Sequence, residues 1–193
     1  MIKISNLSKA YKKNVVFENF SFQIEDNLVL LIGPNGSGKT TILNCINNHI
    51  KYCGDIQISG KISYLPEERG FEQDVIAKDL LNLFCKGYKT NVDKYLNQLE
   101  FAPQIDKPIA ELSKGNLTKL FILCTLAKPC DIYIFDEPTD GLDKNSRENF
   151  ILICKELSKT KSVIVSSHDL GFIDRMVNQA QVLNLEDKNV FKN

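Results

Sequence analysis

The chain has 193 residues, 43% of them apolar, enough to bury the core of one domain of ordinary size. Lysine plus arginine and aspartate plus glutamate both number 24, so the net charge is zero, no global basic footprint marks the chain, and no nucleic-acid partner is expected. Its apolar runs fall short of the roughly 18 residues a membrane-crossing helix requires, and Met1-Ile2-Lys3-Ile4-Ser5 reads as a strand rather than a signal peptide, so a soluble, cytoplasmic protein is expected.

In chain order, Ile2 to Ser5 and roughly Val15 to Ile24 read as strands around the polar turn Lys12-Lys13-Asn14. Leu28 to Ile32 is an uninterrupted apolar run, the mark of a strand buried on both faces. It stops at Gly33, and a helical period (Ile42, Leu43, Ile46) begins after Lys39 and ends near Asn47-Asn48, with His49 a surface residue at the helix end. Between strand and helix stands Gly33-Pro34-Asn35-Gly36-Ser37-Gly38-Lys39-Thr40, followed by Thr41, the P-loop pattern in the strand-to-helix setting that gives it meaning. A polyphosphate wrapped by main-chain N–H groups needs residues with no side chain in the way, which Gly36 and Gly38 provide. The first helical turn adds unpaired N–H groups and the positive end of the dipole. Asn35, Ser37 and Thr41 belong to the same cradle, Lys39 would reach the β- and γ-phosphates, and the Thr40 hydroxyl would ligate Mg²⁺. The chain is therefore expected to bind a nucleoside triphosphate.

Further on, Cys53 to Leu65, broken at Gly54 and Gly60, reads as two short strands, and Pro66 to Gly70 as a loop. From Ala77 to about Leu99 the pattern is helical (Leu80, Leu81, Phe84, then Tyr95, Leu96, Leu99), with Pro103 and Pro108 marking the exit. Leu112-Ser113-Lys114-Gly115 opens an apolar helix, Leu117 to Leu126, before Pro129. Ile132 to Phe135 is a second buried strand, followed by a helix from about Lys144 to Leu157, a strand from Ser162 to Ser166, a helix after His168 and a last strand from Gln181 to Leu185. The expected fold class is α/β: a P-loop NTPase core with a mostly parallel sheet, an antiparallel β portion at the N-terminus, and a small helical subdomain at about 70–128 inserted in the core of a single domain, 1–193. Six scattered cysteines without a C-x-x-C pair are expected to be reduced and mostly buried.

The buried strand at 132–135 ends in Asp136-Glu137. Behind a P-loop, Asp136 would hold Mg²⁺, directly or through water, and Glu137 would orient and polarise the attacking water as general base.

Five further segments, in their order, make the chain resemble the ATP-binding subunit of an ABC (ATP-binding cassette) transporter over almost its whole length. Tyr11 matches the aromatic residue that stacks on adenine; Leu112-Ser113-Lys114-Gly115-Asn116 resembles the signature LSGGQ; Asp140-Gly141-Leu142-Asp143 resembles the D-loop; Ser166-Ser167-His168-Asp169 resembles the switch segment; and Glu67 occupies the place of the Q-loop glutamine. The resemblance implies that ATP and Mg²⁺ are bound, with Glu67 ligating or bridging to the metal and His168 contacting the γ-phosphate and the water. It also implies that Ser113 and the Gly115 backbone hold the γ-phosphate of ATP bound to a second copy (or a paralogous cassette), with Asp143 across that interface. The partners would be that second subunit in a symmetric sandwich and a polytopic membrane subunit, with this chain peripheral on the cytoplasmic face. Three positions depart from the family: Glu67 is a carboxylate for an amide, Lys114 stands for a glycine and Asn116 for a glutamine.

The function expected is ATP hydrolysis powering a separate membrane-spanning transporter, with export favoured by the wording of 64–70. Two alternatives stay open: a soluble ABC-type ATPase in cofactor assembly, translation or DNA repair, and a regulatory nucleotide-binding module with little hydrolysis. A small-molecule P-loop kinase does not call for the signature-like segment or the D-loop.

Overall fold

The computed structural model describes residues 2–70, 74–88, 92–186 and 189–191, the last of these as backbone only. It opens with strand β1 (Ile2–Tyr11), which turns through Lys12-Lys13 into antiparallel β2 (Asn14–Ile24). β1 runs six residues past the expected Ser5. Register shifts beyond Ile4, with Asn6 and Asn19 at φ +52° and +48°, reset which side chains face inward, so simple alternation loses the strand there. The apolar run at 28–32 is β3 (Leu28–Ile32), with Leu28 to Leu31 all buried, and it feeds α1 (Lys39–Ile46).

Then come β4 (Cys53–Ile58), which pairs with β1 to complete a three-stranded antiparallel sheet, and β5 (Ile62–Leu65). The helical stretch expected at 77–99 is two helices, α2 (Ala77–Cys85) and α3 (Val92–Gln98). Gly87, at φ +85°, takes a left-handed conformation that ends regular helix, and residues 89–91 lie outside the described ones. α4 (Lys114–Leu126) starts three residues before the expected Leu117, because the Ser113 hydroxyl caps it by accepting from Asn116 N–H at 3.2 Å.

The chain continues through β6 (Ile132–Asp136), α5 (Lys144–Leu157), β7 (Ser162–Ser167), α6 (Leu170–Met176) and β8 (Gln181–Asn184) to a hairpin strand not expected from the sequence, β9 (Asn189–Phe191). β5, β6, β7, β3 and β8 lie side by side in parallel, with β9 antiparallel at the edge. The architecture is the expected α/β P-loop core.

Alternation along these strands divides the interior into two apolar clusters. Leu28, Leu30, Phe135, Val163 and Val165 face the helices α2, α4, α5 and α6. Val29, Leu31, Ile134 and Ile164 face α1 and the antiparallel sheet. Leu80 and Leu81 of α2, together with Leu99, sit in the first cluster beside Leu65 and Phe135, so the helices of the 77–126 region share the core of the sheet; residues 71–73 of the expected insertion lie outside the described ones. The carboxyl ends of β3, β5, β6 and β7 therefore bring Gly33, Glu67, Asp136-Glu137 and His168 to one edge.

Candidate functional site

A cleft of about 280 Å³ at that edge is lined by Asn35, Gly36, Gly38, Lys39, Thr40 and Thr41 of the P-loop and α1, by Glu67 and Glu137, and by Tyr11, Asn14 and Val16 of the antiparallel sheet. Gly38 closes the loop. It takes the left-handed conformation (φ +104°), and a Cβ there would lie 2.8 Å from Val16 and 2.9 Å from Phe17, so only glycine lets the loop lie on β2. Helices α4, α5 and α6 each begin on a side-chain cap (Ser113, Asp143, Asp169), whereas α1 begins on Gly38 without one. Its first N–H groups are left for a ligand beside the cleft.

The charged groups are joined. Lys39 is buried, its Nζ donating to the carbonyls of Gly33 (2.8 Å) and Pro34 (3.2 Å) and lying 3.1 Å from Glu137 Oε1. His168 Nδ1 stands 2.9 Å from the other oxygen, Glu137 Oε2. One carboxylate thus lies between the P-loop lysine and the histidine after β7. Thr40 Oγ1 donates to Glu67 Oε2 at 2.9 Å. Ser37 does not line the cleft, and its buried hydroxyl has no hydrogen-bond partner among the described residues.

Asp136 is fully buried at the end of β6. The parallel register sets it opposite Ser166, whose hydroxyl donates to Asp136 Oδ1 at 2.5 Å and accepts from Glu137 N–H at 2.9 Å. The Tyr64 hydroxyl lies 3.4 Å from Asp136 Oδ2 and 3.3 Å from Asn44 Oδ1. Burial pushes the Asp136 carboxyl above its ordinary value; the hydrogen bond from Ser166 opposes this, and the nearby charges of Glu67 and Glu137 add to it. Burial and Asp136 likewise push the Tyr64 hydroxyl up, which keeps it a donor.

The donor set suits magnesium. Among the described residues no cluster of three or more His, Cys, Asp or Glu is arranged to hold a metal alone. A threonine hydroxyl and the carboxylates of Asp136 and Glu67 are hard oxygen donors, and Mg²⁺ typically takes one or two carboxylates and completes its shell from substrate phosphates and water. A cation there would also neutralise the buried Asp136.

Six of the expected residues do not line the cleft: Ser37, Asp136 and His168, described above, and Ser113, Gly115 and Asp143. Ser113 caps α4, and Gly115 packs against Gly141, where a Cβ would meet the carbonyl oxygen at 2.4 Å. Asp143 caps α5, accepting from Ser146 N–H and Oγ, both at 2.8 Å, with Lys119 3.9 Å away. Those Ser146 bonds hold the Asp143 carboxyl below its ordinary value, helped by Lys119. Lys114 pairs with Asp140 at 2.7 Å, so signature and D-loop segments are linked within one chain.

Sequence reasoning missed Ser166, Tyr64 and Arg69 as parts of this site. Ser166 was within reach, since it lies in a quoted segment and pairs in register with Asp136; Tyr64 reaches Asp136 from the neighbouring strand β5, and Arg69 acts through loop geometry that no local pattern carries.

Residues 17–140, well over half of the chain, match the family model described as ABC transporter. An ABC transporter ATP-binding protein of Methanocaldococcus jannaschii is 37% identical over 94% of this chain and 73% of its own length. The zinc import ATP-binding protein ZnuC of Rickettsia conorii is 33% identical over 95% of this chain and 83% of its own. Among solved structures, the dimeric post-hydrolysis state of the ATP-binding cassette MJ0796 bound to ADP and Pi superposes with a TM-score of 0.82, at 23% identity, over 100% of this chain and 97% of that one. The chain belongs to the ABC transporter family, as an ATP-hydrolysing ATP-binding cassette.

Proposed function

We propose that this chain is the ATPase subunit that powers a separate membrane-spanning transporter, working as an ATP-bridged dimer. The observation that carries the reading is the single cleft in which Lys39, Thr40, Glu67, Glu137 and Tyr11 meet, with His168 on the far oxygen of Glu137.

In this reading the adenine rests on Tyr11 and the triphosphate on the P-loop amides. Lys39, now turned onto its own loop carbonyls and Glu137, swings to the β- and γ-phosphates. Glu137, released from the lysine, takes a proton from the attacking water as the water oxygen bonds to the γ-phosphorus. The bond to the β–γ bridging oxygen breaks, and ADP and phosphate leave. His168 holds the water and γ-phosphate in line. Mg²⁺, held by Thr40, Asp136 and Glu67, would supply neutralisation of the phosphate oxygens.

Ser113 and Gly115, outside the cleft of their own chain, would complete the cleft of a second copy, with Asp143 at that interface. Support comes from the dimeric state named for MJ0796. No helix among the described residues is long and apolar enough to cross a membrane, which fits a subunit peripheral on the cytoplasmic face of a polytopic partner. For direction, the segment 64–70 favours export and the zinc-import name of the Rickettsia relative favours uptake; reconstitution with the membrane subunit and the sense of cargo movement decide.

The test of the core reading is Glu137→Gln. Hydrolysis should fall by at least about a hundred-fold, the scale of a lost general base. ATP binding should survive, and a stable ATP-dependent dimer should appear on size-exclusion chromatography. Unchanged turnover removes Glu137 from this role.

A further inference from the structure

Arg69 lies two residues past Glu67, half-buried, and its guanidinium joins three loops of the site. Nε donates back to the Pro66 carbonyl at 3.1 Å, within its own loop. One terminal nitrogen donates to the carbonyls of both Asp136 (3.2 Å) and Glu137 (3.0 Å). The other donates to Thr118 Oγ1 on α4 at 2.6 Å, and that hydroxyl donates on to the Asp140 carbonyl at 3.0 Å. A planar fork with five N–H donors can satisfy acceptors in this spread; a lysine ammonium on a flexible stem cannot.

The acceptors have a common feature. Glu137 has φ +47°, a left-handed conformation in a residue that is not glycine. That conformation is unfavourable for a non-glycine residue and persists only where the surroundings over-determine it. Ser166 holds the amide side of Glu137, and Arg69 holds the carbonyls on either side of that residue's backbone. The backbone so fixed aims the Glu137 carboxylate between Lys39 and His168.

We propose that Arg69 is the positioning residue for the general base: its guanidinium holds Glu137 in the left-handed conformation that points the carboxylate into the cleft, and it ties that conformation to the Glu67 loop on one side and the Asp140 loop on the other. This rests on the reading of Glu137 as base. A displacement of either loop would then reach the base through this hydrogen-bond network rather than through the nucleotide.

The experiment compares wild type, Arg69→Ala, Arg69→Lys, Thr118→Val and Glu137→Gln by kcat and KM for ATP and by direct nucleotide affinity. Both Arg69 variants should lose about ten-fold or more in kcat, on the scale of a misplaced general base, with KM and affinity staying close to wild type. Millimolar guanidinium chloride should recover part of the loss in Arg69→Ala and none in Arg69→Lys. Thr118→Val, which keeps the charge and removes one anchor, should lose kcat by a smaller factor at unchanged affinity. Wild-type kcat in the Arg69 variants overturns the proposal, as does a loss of kcat and affinity together without guanidinium rescue. Should Arg69→Ala fail to fold, Thr118→Val carries the decision, and wild-type kcat there overturns it. Failure of the underlying reading is separate: it shows as full turnover in Glu137→Gln, whatever the Arg69 series does.

Discussion

Glu67 places a carboxylate where the family carries an amide, and the Thr40 hydroxyl donates to it at 2.9 Å. A glutamine could accept the same bond through its carbonyl oxygen, so the difference is charge, not geometry. Beside a bare triphosphate that charge repels, and beside a metal-bound one it attracts. Glu67→Gln should therefore tighten ATP binding in EDTA and raise the Mg²⁺ concentration for half-maximal hydrolysis, each by about two- to five-fold at low ionic strength, since the exposed site is screened by salt. Titrating turnover against Mg²⁺ checks this. An unshifted Mg²⁺ midpoint takes Glu67 out of the metal site. At this scale the sequence was most legible where a residue type is demanded by chemistry, as with Lys39 and Thr40. It was least legible where two loops touch: Gly115 reads as a phosphate-binding glycine, yet the structure gives it a second constraint, its close approach to the Gly141 carbonyl.

Among the elements, α5 shows how a motif residue can do structural work in its own chain. The Asp143 carboxylate caps the helix through Ser146, and its proton affinity is lowered by those bonds. Asp143→Ala should cost about 1 kcal/mol, a fall of roughly 2–4 °C in melting temperature for a chain of this size. With the folded-state value depressed, the capping stability is present above the ordinary carboxylate range and is lost as pH falls through the lowered folded-state value. The gap between wild type and Asp143→Ala should therefore close below about pH 4. Asp143→Ser restores a good cap without the charge. Melting curves of the three should show serine at the wild-type level. Hydrolysis that stays low in Asp143→Ser gives the carboxylate a role beyond the cap, and hydrolysis that recovers confines it to the cap. The elements themselves were read mostly correctly because their periods are strong. The misses have local causes: bulges in β1, the left-handed Gly87 between α2 and α3, and a three-residue β9 too short to carry a period.

The whole molecule raises the question of what ATP binds together. The motif order made the cassette legible from sequence. The links Arg69–Glu137 and Lys114–Asp140 depend on loop approach and had no signature to read, whereas Ser166–Asp136 follows from strand register. Ser113 and Gly115 lie outside the cleft that holds Lys39, so under the proposed function one chain offers an incomplete nucleotide site. Mass action then separates two cases. A ligand bound by one chain raises the melting temperature by an amount set only by its concentration over Kd, about 2.7 kcal/mol at a hundred-fold excess. A ligand sandwiched between two chains adds a dependence on protein concentration. For Glu137→Gln in excess ATP and Mg²⁺, the melting temperature should climb by about 1–3 °C for each ten-fold rise in protein, half of the dimer term falling on each protomer. With ADP the rise should be the same at every protein concentration. Differential scanning fluorimetry over a hundred-fold protein range reads both. A concentration-independent melt in ATP would leave each cleft working alone, and Ser113 and Gly115 would then have no nucleotide to meet.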